Sequence, residues 1–373
     1  MNSGKLNKKL AIIGASYLQL PLIRKTKEMG YVTHVFAWAA NDVGEKEADY
    51  FYPISIIEKD QILEKCREIG ISGICSIASD LASVTVNYVA QNLGLNSNSL
   101  ECTARSTNKH LMRQCFEKNG DPSPKSELVS DFSKIDPNKY SYPVIVKPLD
   151  RSGSRGIYKI EKPEDLIPAC EKSAQEGFIK SVLIEEFATG KEYSVEFISY
   201  HGKHHFLAVT LKYTTGAPHF IETGHLEPAP ISESLKKKIQ GVVEHALNSL
   251  GVTDGASHSE IKIDENENIK IIEIGARMGG DCIGSDLVYY STGYDFVEMV
   301  IDVACGNEPK FVRKQEPFPV SVHFILTKED LKTFEDLKKN HPERILQIVD
   351  YHPEKIGSTT DSSNRAGCYI IRE

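Results

Sequence analysis

No apolar run in this sequence approaches the roughly 18 residues that would span a bilayer. Its start, Met1-Asn2-Ser3-Gly4-Lys5, lacks the apolar stretch of a secretory signal. These absences predict a soluble, cytoplasmic protein with no membrane partner. Cys-x-x-Cys pairs are missing as well. The eight cysteines, at positions 66, 75, 102, 115, 170, 282, 305 and 368, are scattered, which argues against a zinc ribbon or a redox pair and for reduced thiols. Basic charge is not in excess: the formal net charge of −8 argues against bulk nucleic-acid binding, so an anionic ligand would have to be met by local lysines and arginines. Internal repeats and low-complexity segments are absent. So are the Gly-x-Gly-x-x-Gly dinucleotide fingerprint, a Walker A lysine, and the His-Arg-Asp and Asp-Phe-Gly triplets of protein kinases.

What is present is enough for several cores. At 373 residues and 40% apolar content, two or three domains around a shared cleft are expected. Lys9 to Ile13 is an apolar strand ending in the small-residue turn Gly14-Ala15-Ser16. A helix to Gly30 follows, then a strand from Tyr31 to Phe36. The alternation continues with a helix near Asp60 to Ile69, a strand from Ile71 to Ile77 and a helix from Leu81 to Asn92, predicting a doubly wound parallel unit over residues 1–98. The Gly14 turn is either a tight βα turn or a place where a helix N-terminus meets a substrate carboxylate. Residues 99–120 form a connecting helical region, with a helix from Ser106 to Asn119 stopped by Gly120 and Pro122. Residues 121–190 read as a small α+β unit and 191–373 as an antiparallel sheet with helices, including a hairpin at His201-Gly202 and a long helix from Ser232 to Leu250. The fold class is thus α/β joined to α+β.

Three segments carry chemistry. Tyr142 to Pro148 is an apolar strand that ends by presenting Lys147, followed by the turn Asp150-Arg-Ser152-Gly153-Ser154-Arg155-Gly156. Such a turn is a solvated hairpin or, since small residues let backbone N–H groups approach oxyanions, a phosphate cradle. In Glu185-Glu186-Phe187-Ala188-Thr-Gly190-Lys-Glu192-Tyr-Ser194-Val-Glu196 the second half alternates, placing Glu192, Ser194 and Glu196 on one face that lines solvent or a cleft. Finally, Glu260 and Glu273 sit on two strands of a hairpin. A turn centred on Asn266-Glu267 sets them opposite each other. Matching Ile261 with Ile271 and Ile263 with Ile269 instead sends them to opposite faces unless a bulge intervenes. Two adjacent carboxylates repel unless a cation lies between them, and Mg²⁺ is commonly held by one or two carboxylates plus phosphates. Arg277, followed by Met278-Gly279-Gly280-Asp281, stands a few residues on. The loop Phe220-Ile-Glu222-Thr-Gly-His225-Leu-Glu-Pro228-Ala-Pro230 gathers a glutamate, a histidine and rigid prolines, as a structural loop or an acceptor contact.

The order of these segments resembles the ATP-grasp superfamily, over most of the chain and with a Rossmann-like N-terminal domain. The resemblance implies ATP clasped between two α+β lobes, with Mg²⁺, or Mn²⁺ in its place, at Glu260 and Glu273. It implies Lys109 and Lys147 as phosphate-binding lysines, and Ser152, Gly153, Ser154 and Gly156 in a loop closing over the phosphates. By the same resemblance Glu185, Glu186, Phe187 and Ala188 lie at the adenine hinge, Glu192 binds ribose, and Arg277 steadies an acyl phosphate. Many members carry a metal-binding asparagine where this chain has Gly275, which puts a two-metal arrangement in doubt. The stretch Glu273 to Asp281 is most similar to L-amino-acid ligases and other carboxylate–amine ligases, implying amide formation from small-molecule carboxylate and amine substrates, with amino acids as the candidates. Glu222, His225, Arg277, Gly279 and Gly280 are the candidate substrate contacts. A carboxylase-type member using bicarbonate and a nucleotide-binding regulatory module without turnover are the alternatives. The charge and long C-terminal unit allow a homodimer.

Overall fold

The computed structural model describes residues 8–150, 155–217, 220–357 and 365–373, and its strands form three sheets. The first follows the predicted alternation: β1 (Lys9–Ile13), α1 (Leu20–Glu28), β2 (Val32–Phe36), α2 (Val43–Glu47), β3 (Tyr50–Tyr52), α3 (Lys59–Ile69), β4 (Gly73–Cys75) and α4 (Asp80–Leu93). All its pairs are parallel, in the order β3-β2-β1-β4. The winding therefore changes direction between β1 and β4, and the loops after these two strands diverge around a crevice at their carboxyl ends. The sequence reading passes over α2 and β3, which are too short to show a period. The Gly14 turn is closed by its own chain. Gln19 Oε1 accepts from the Ser16 amide at 3.2 Å and hydroxyl at 2.8 Å, while its Nε2 donates to the Ile77 carbonyl at 2.8 Å. It is the tight βα turn of the two readings.

The helix expected from Ser106 is two helices, α5 (Leu100–Thr107) and α6 (Lys109–Asn119). Asn108 between them is extended, and its side chain accepts from the amides of His110 and Leu111, so it stops one helix and caps the next. The cap fixes Lys109 at the first position of α6. Next come β5 (Ser126–Val129), β6 (Val144–Pro148), β7 (Tyr158–Ile160), α7 (Leu166–Glu176) and β8 (Val182–Glu186), forming an antiparallel sheet of order β5-β8-β6-β7. Leu166, Ala169 and Cys170 of α7 pack on Val144, Val146 and Ile184 of this sheet.

The remaining strands build one antiparallel sheet. In chain order the elements are β9 (Lys191–Tyr200), β10 (Lys203–Thr214), β11 (Glu222–Glu227), α8 (Glu233–Leu250), β12 (Gly255–Ile263) and β13 (Ile269–Gly275). A π-helical turn (Ile283–Leu287) leads into α9 (Val288–Thr292) and α10 (Phe296–Ala304). The chain closes with β14 (Val320–Phe324), α11 (Lys328–Asn340), β15 (Ile345–Val349) and β16 (Cys368–Arg372). The sheet order is β13-β12-β9-β10-β11-β14-β16-β15. The apolar stripe of α8, including Ile239, Val243 and Leu247, covers Tyr193, Val195 and Phe197. On the opposite face α10 is shared: Met299, Val300 and Val303 pack in one core with Ile198 of β9, Ala256 of β12, and Leu10 and Ile12 of β1. This common core holds the parallel unit against the large sheet, bringing the loop before α4 to the end of β13. No helix among the described residues is long and apolar enough to cross a membrane.

One buried acid tests this packing. Glu227 is fully buried, accepting from Thr210 and Ser291 at 2.5 Å each. Burial pushes its pKa up from 4.5 to about 7, with the two hydroxyls opposing the rise. Because the folded-state value is the higher one, the stabilisation is complete below about pH 4.5 and is lost as pH rises through about 7, a span worth roughly 3 kcal/mol. Glu227→Gln is expected to flatten this part of the dependence of unfolding free energy on pH, measured by denaturant titration; an unchanged slope would contradict it.

Candidate active site

The glutamate hairpin satisfies both sequence registers. Glu260 faces Glu273, yet Ile261 pairs with Ile271 and Ile263 with Ile269, because the register shifts between Glu260 and Ile261. Ile272 is the extra residue of this bulge. The bulge lets the isoleucines face the core and the two carboxylates face each other. Lysines neutralise both: Lys109 Nζ donates to Glu273 Oε1 at 2.8 Å and Lys212 Nζ to Glu260 Oε1 at 2.6 Å. Burial opposes charge at Glu260, but Lys212 and His258 outweigh it and hold the carboxyl well below the usual range. At Lys109, too, burial is outweighed, by Glu273, so the ammonium stays charged.

Lys212 organises a wider set. Besides Glu260 it lies 3.1 Å from Glu192 and 3.8 Å from Glu222, joining the expected ribose acid, metal acid and substrate acid. Of the face bearing Glu192, Ser194 and Glu196, Glu192 lines a cleft, while Ser194 and Glu196 are fully buried in a strand flanked by β10 and β12. Glu196 accepts from or shares a proton with His258 Nδ1 at 2.5 Å, and His258 Nε2 points to Glu260 at 3.6 Å. Burial works against the imidazolium, but Glu196 prevails and raises it to about 9.

Lys147 leaves β6 as expected and is buried. Its Nζ lies 2.6 Å from Glu185 Oε2, while Arg113 Nε donates to Glu185 Oε1 at 2.8 Å. Burial is outweighed by these two cations, which hold the Glu185 carboxyl below its usual range. At Lys147 burial, joined by the Arg113 and Lys109 cations, outweighs Glu185 and Glu273 and brings the ammonium below the ordinary lysine value. The side chain of Glu185 is thus held by Lys147 and Arg113, and Glu185 lines the cleft together with the rest of the expected hinge. Glu186, Phe187 and Ala188 follow at the cleft, lined also by Ile145, Lys147, Glu192, Glu260 and Ile272. Lys159 and Lys262 stand 4.5 and 5.4 Å from the centre of the Phe187 ring. Ser152, Gly153 and Ser154 lie outside the described residues. Gly156 is described, with a positive φ of 70°, and its carbonyl accepts from Ser173.

Arg277 turns toward the parallel unit. Its Nε and Nη2 donate to the two oxygens of Asp80 at 2.7 and 3.0 Å, a bidentate pair anchored at the first turn of α4, where Ser79 caps the helix. Gly275 explains the space this needs: a Cβ there would lie 3.0 Å from Asp80 Oδ1 and 3.2 Å from Arg277 Cζ. An asparagine at 275 would meet this pair. Gly279 lies against His258, since a Cβ would come 2.6 Å from its Nδ1, and Gly280 faces Ala78. Glu222 binds Arg365 at 2.8 Å, and Arg365 also binds Asp281 at 2.9 Å. His225 is buried, 3.9 Å from Asp281, and neither ring nitrogen has a hydrogen-bond partner among the described residues. Burial keeps it below the usual histidine range.

Among the described residues no three His, Cys, Asp or Glu side chains gather as a metal cage. Glu260 and Glu273 still suit Mg²⁺, which takes one or two carboxylates and completes its shell with phosphates and water; their described bonds engage Oε1 alone. Sequence reasoning missed Asp80, Arg113, Lys212, His258 and Arg365, and it placed Glu196 on the Glu192 face and Asp281 after Arg277 without naming the partners of either. Only Lys212, a lone charge closing the apolar run of β10, left a local signal.

The family described as an ATP-grasp domain matches residues 140–286. Alanine–anticapsin ligase from Bacillus subtilis is 26% identical over 311 residues, covering 72% of this chain and 65% of that protein. The chain thus spans just under two thirds of that relative's length. D-alanine–D-alanine ligase from Haemophilus ducreyi is 27% identical over 248 residues, covering 59% of this chain and 75% of that protein. The crystal structure of L-amino acid ligase from Bacillus licheniformis aligns with a TM-score of 0.83 at 21% identity, over 99% of this chain and 94% of that one. Residues 140–286 thus match an ATP-grasp domain, and the chain as a whole has the fold of the L-amino acid ligase structure.

Proposed function

We propose that the protein is an ATP-dependent carboxylate–amine ligase acting on amino acids. The observation that carries this reading is the bulged hairpin, which opposes Glu260 and Glu273 on one face between Lys109 and Lys212. A carboxylate oxygen of one substrate attacks the γ-phosphorus of ATP, and ADP leaves. The amine of the second attacks the acyl carbon, inorganic phosphate leaves, and the nitrogen gives up a proton, completing the amide. Little covalent help is required, so positioning and countercharge supply the acceleration.

Glu186 to Ala188 and Glu192 orient the nucleoside. Lys109, Lys147 and Lys212 bring positive charge to the phosphates. Mg²⁺, or Mn²⁺, held by Glu260 and Glu273 would add countercharge to the phosphates when bound. Arg277, fixed by Asp80, faces the acyl phosphate, while Glu222 and His225 receive the amine substrate. The similarity to ligases of amino acids supports this choice of substrates over bicarbonate.

The test is incubation with ATP, Mg²⁺ and pooled amino acids, followed by phosphate assay and mass spectrometry. Phosphate release stimulated by amino acids, with new masses equal to two amino acids less one water, is expected. Release stimulated by bicarbonate alone would sink the amine-ligase reading.

A further inference from the structure

β13 carries one half of the carboxylate pair, yet it is the outermost strand of its sheet. β12 pairs with it on one side, and among the described residues no strand pairs with it on the other. Continuing the Ile261–Ile271 register would set Ile272 opposite Glu260 and turn Glu273 to the other face. The two glutamates therefore oppose each other only while the bulge at Ile272 persists. A bulge leaves its extra residue out of the ladder, so groups outside the hairpin have to hold it in place.

Helix α6 supplies them, meeting three successive residues of β13. Arg113 Nη2 donates to the Ile272 carbonyl at 2.6 Å, Lys109 Nζ to Glu273 Oε1 at 2.8 Å, and Met112 Sδ accepts from the Ile274 amide at 3.4 Å. The Ile271 amide beside them donates to the Pro122 carbonyl at 2.7 Å. Lys109 and Arg113 are four positions apart, one turn along the same helix face. Of the three side chains, Arg113 is the one that binds the backbone of the extra residue itself. Lys109 holds the carboxylate through a flexible stem that can follow it, and a thioether is a weak acceptor. The direction of the Arg113 bond is also fixed independently. Its Nε and Nη2 donate to the two oxygens of Glu185 at 2.8 and 3.3 Å, a buried forked pair that sets the plane of the guanidinium. Glu185 lies on β8, paired with the strand that presents Lys147, and its Oε2 is 2.6 Å from Lys147 Nζ. The bulge on the large sheet is thereby tied to the small sheet beside a phosphate-binding lysine.

Resting on the assignment of Glu260 and Glu273 to the metal, we propose that Arg113 is a positioning residue of this site: oriented by Glu185, it holds the Ile272 carbonyl and so keeps the bulge that sets Glu273 opposite Glu260. It acts on the metal through Glu273, without touching it.

The test is a double-mutant cycle on Mn²⁺ binding, read by electron paramagnetic resonance of the free ion in the presence of the non-hydrolysable analogue β,γ-imido-ATP and without any amino acid. Wild type is compared with Arg113→Met, Glu273→Gln and the double variant. Arg113→Met should weaken Mn²⁺ binding roughly tenfold in the wild-type background and less than about twofold in the Glu273→Gln background, because the carboxylate it positions is already gone. Arg113→Lys keeps the charge but reaches one acceptor, Glu185 or Ile272, so a loss of roughly threefold is expected, again confined to the background with Glu273 intact. Unfolding temperature identifies a variant that has lost its fold; if Arg113→Met is one, Arg113→Lys carries the same comparison. Mn²⁺ affinity unchanged in the Arg113 variants, or lowered equally in both backgrounds, overturns the positioning role while leaving the metal assignment intact. If Glu273→Gln itself binds Mn²⁺ like the wild type, the metal assignment of the proposed function fails, and this inference with it.

Discussion

Glu273→Gln is expected to lower kcat for ADP formation by roughly a hundredfold to a thousandfold, while the protein unfolds within about 1 kcal/mol of the wild type. Glutamine keeps an oxygen to accept from Lys109 at the position of Oε1, so the helix α6 contact survives. What it removes is a full negative charge from the pair facing Glu260. A carboxamide is a poor Mg²⁺ ligand beside phosphates, so the loss should be relieved in part by raising the metal concentration. ADP release in a coupled assay, against Mg²⁺ concentration, separates this outcome from a structural one. Retained turnover at ordinary metal concentration would remove Glu273 from the metal site.

Asp80→Ala should produce the second large effect, although Asp80 opens α4 of the parallel unit, far along the chain from Arg277. Burial opposes the charge on both members of the pair, and their mutual attraction outweighs it. Without the carboxylate, Arg277 keeps its bond to the Met278 carbonyl at 3.2 Å but loses the two bonds that set the plane of its guanidinium. A drop in kcat of about a hundredfold is expected, with the KM for ATP changed less than about threefold. Asp80→Asn, retaining one acceptor, should fall between wild type and the alanine variant. Arg277→Lys should match Asp80→Ala, because an ammonium cannot make the forked pair. If Asp80→Ala raises the KM for ATP without lowering kcat, its role is to shape the nucleotide cleft and the positioning account fails.

The parts of this site visible in the sequence are those built locally. Lys147 ends an apolar strand, Glu192 to Glu196 alternate along one strand, and Glu260 and Glu273 belong to one hairpin. Even there the sequence left two registers open, and the structure uses both by inserting Ile272. The residues that escaped are held by partners remote in the chain. Arg277 and Asp80 are 197 positions apart, Lys109 and Glu273 are 164 apart, and Lys212 and Glu260 are 48 apart. No period or spacing encodes such pairs: Asp80 meets Arg277 only when the parallel unit docks through α10, and Lys212 meets Glu260 across the intervening strand β9. Asn108 shows the opposite case: its helix cap was readable, yet the helical composition on both sides masked the break. Gly275 reads in the sequence as a missing asparagine, and its positive reason, room for the Asp80–Arg277 pair, lies in the fold.

The most direct measurement follows the oxygen atoms. With the donor amino acid labelled by ¹⁸O in its carboxylate, ATP, Mg²⁺ and an amine acceptor, the released phosphate should carry one ¹⁸O atom, and ADP none, because the carboxylate oxygen that attacks the γ-phosphorus departs with it. Phosphate free of label, with ADP and amide still formed, would contradict carboxylate activation by phosphoryl transfer.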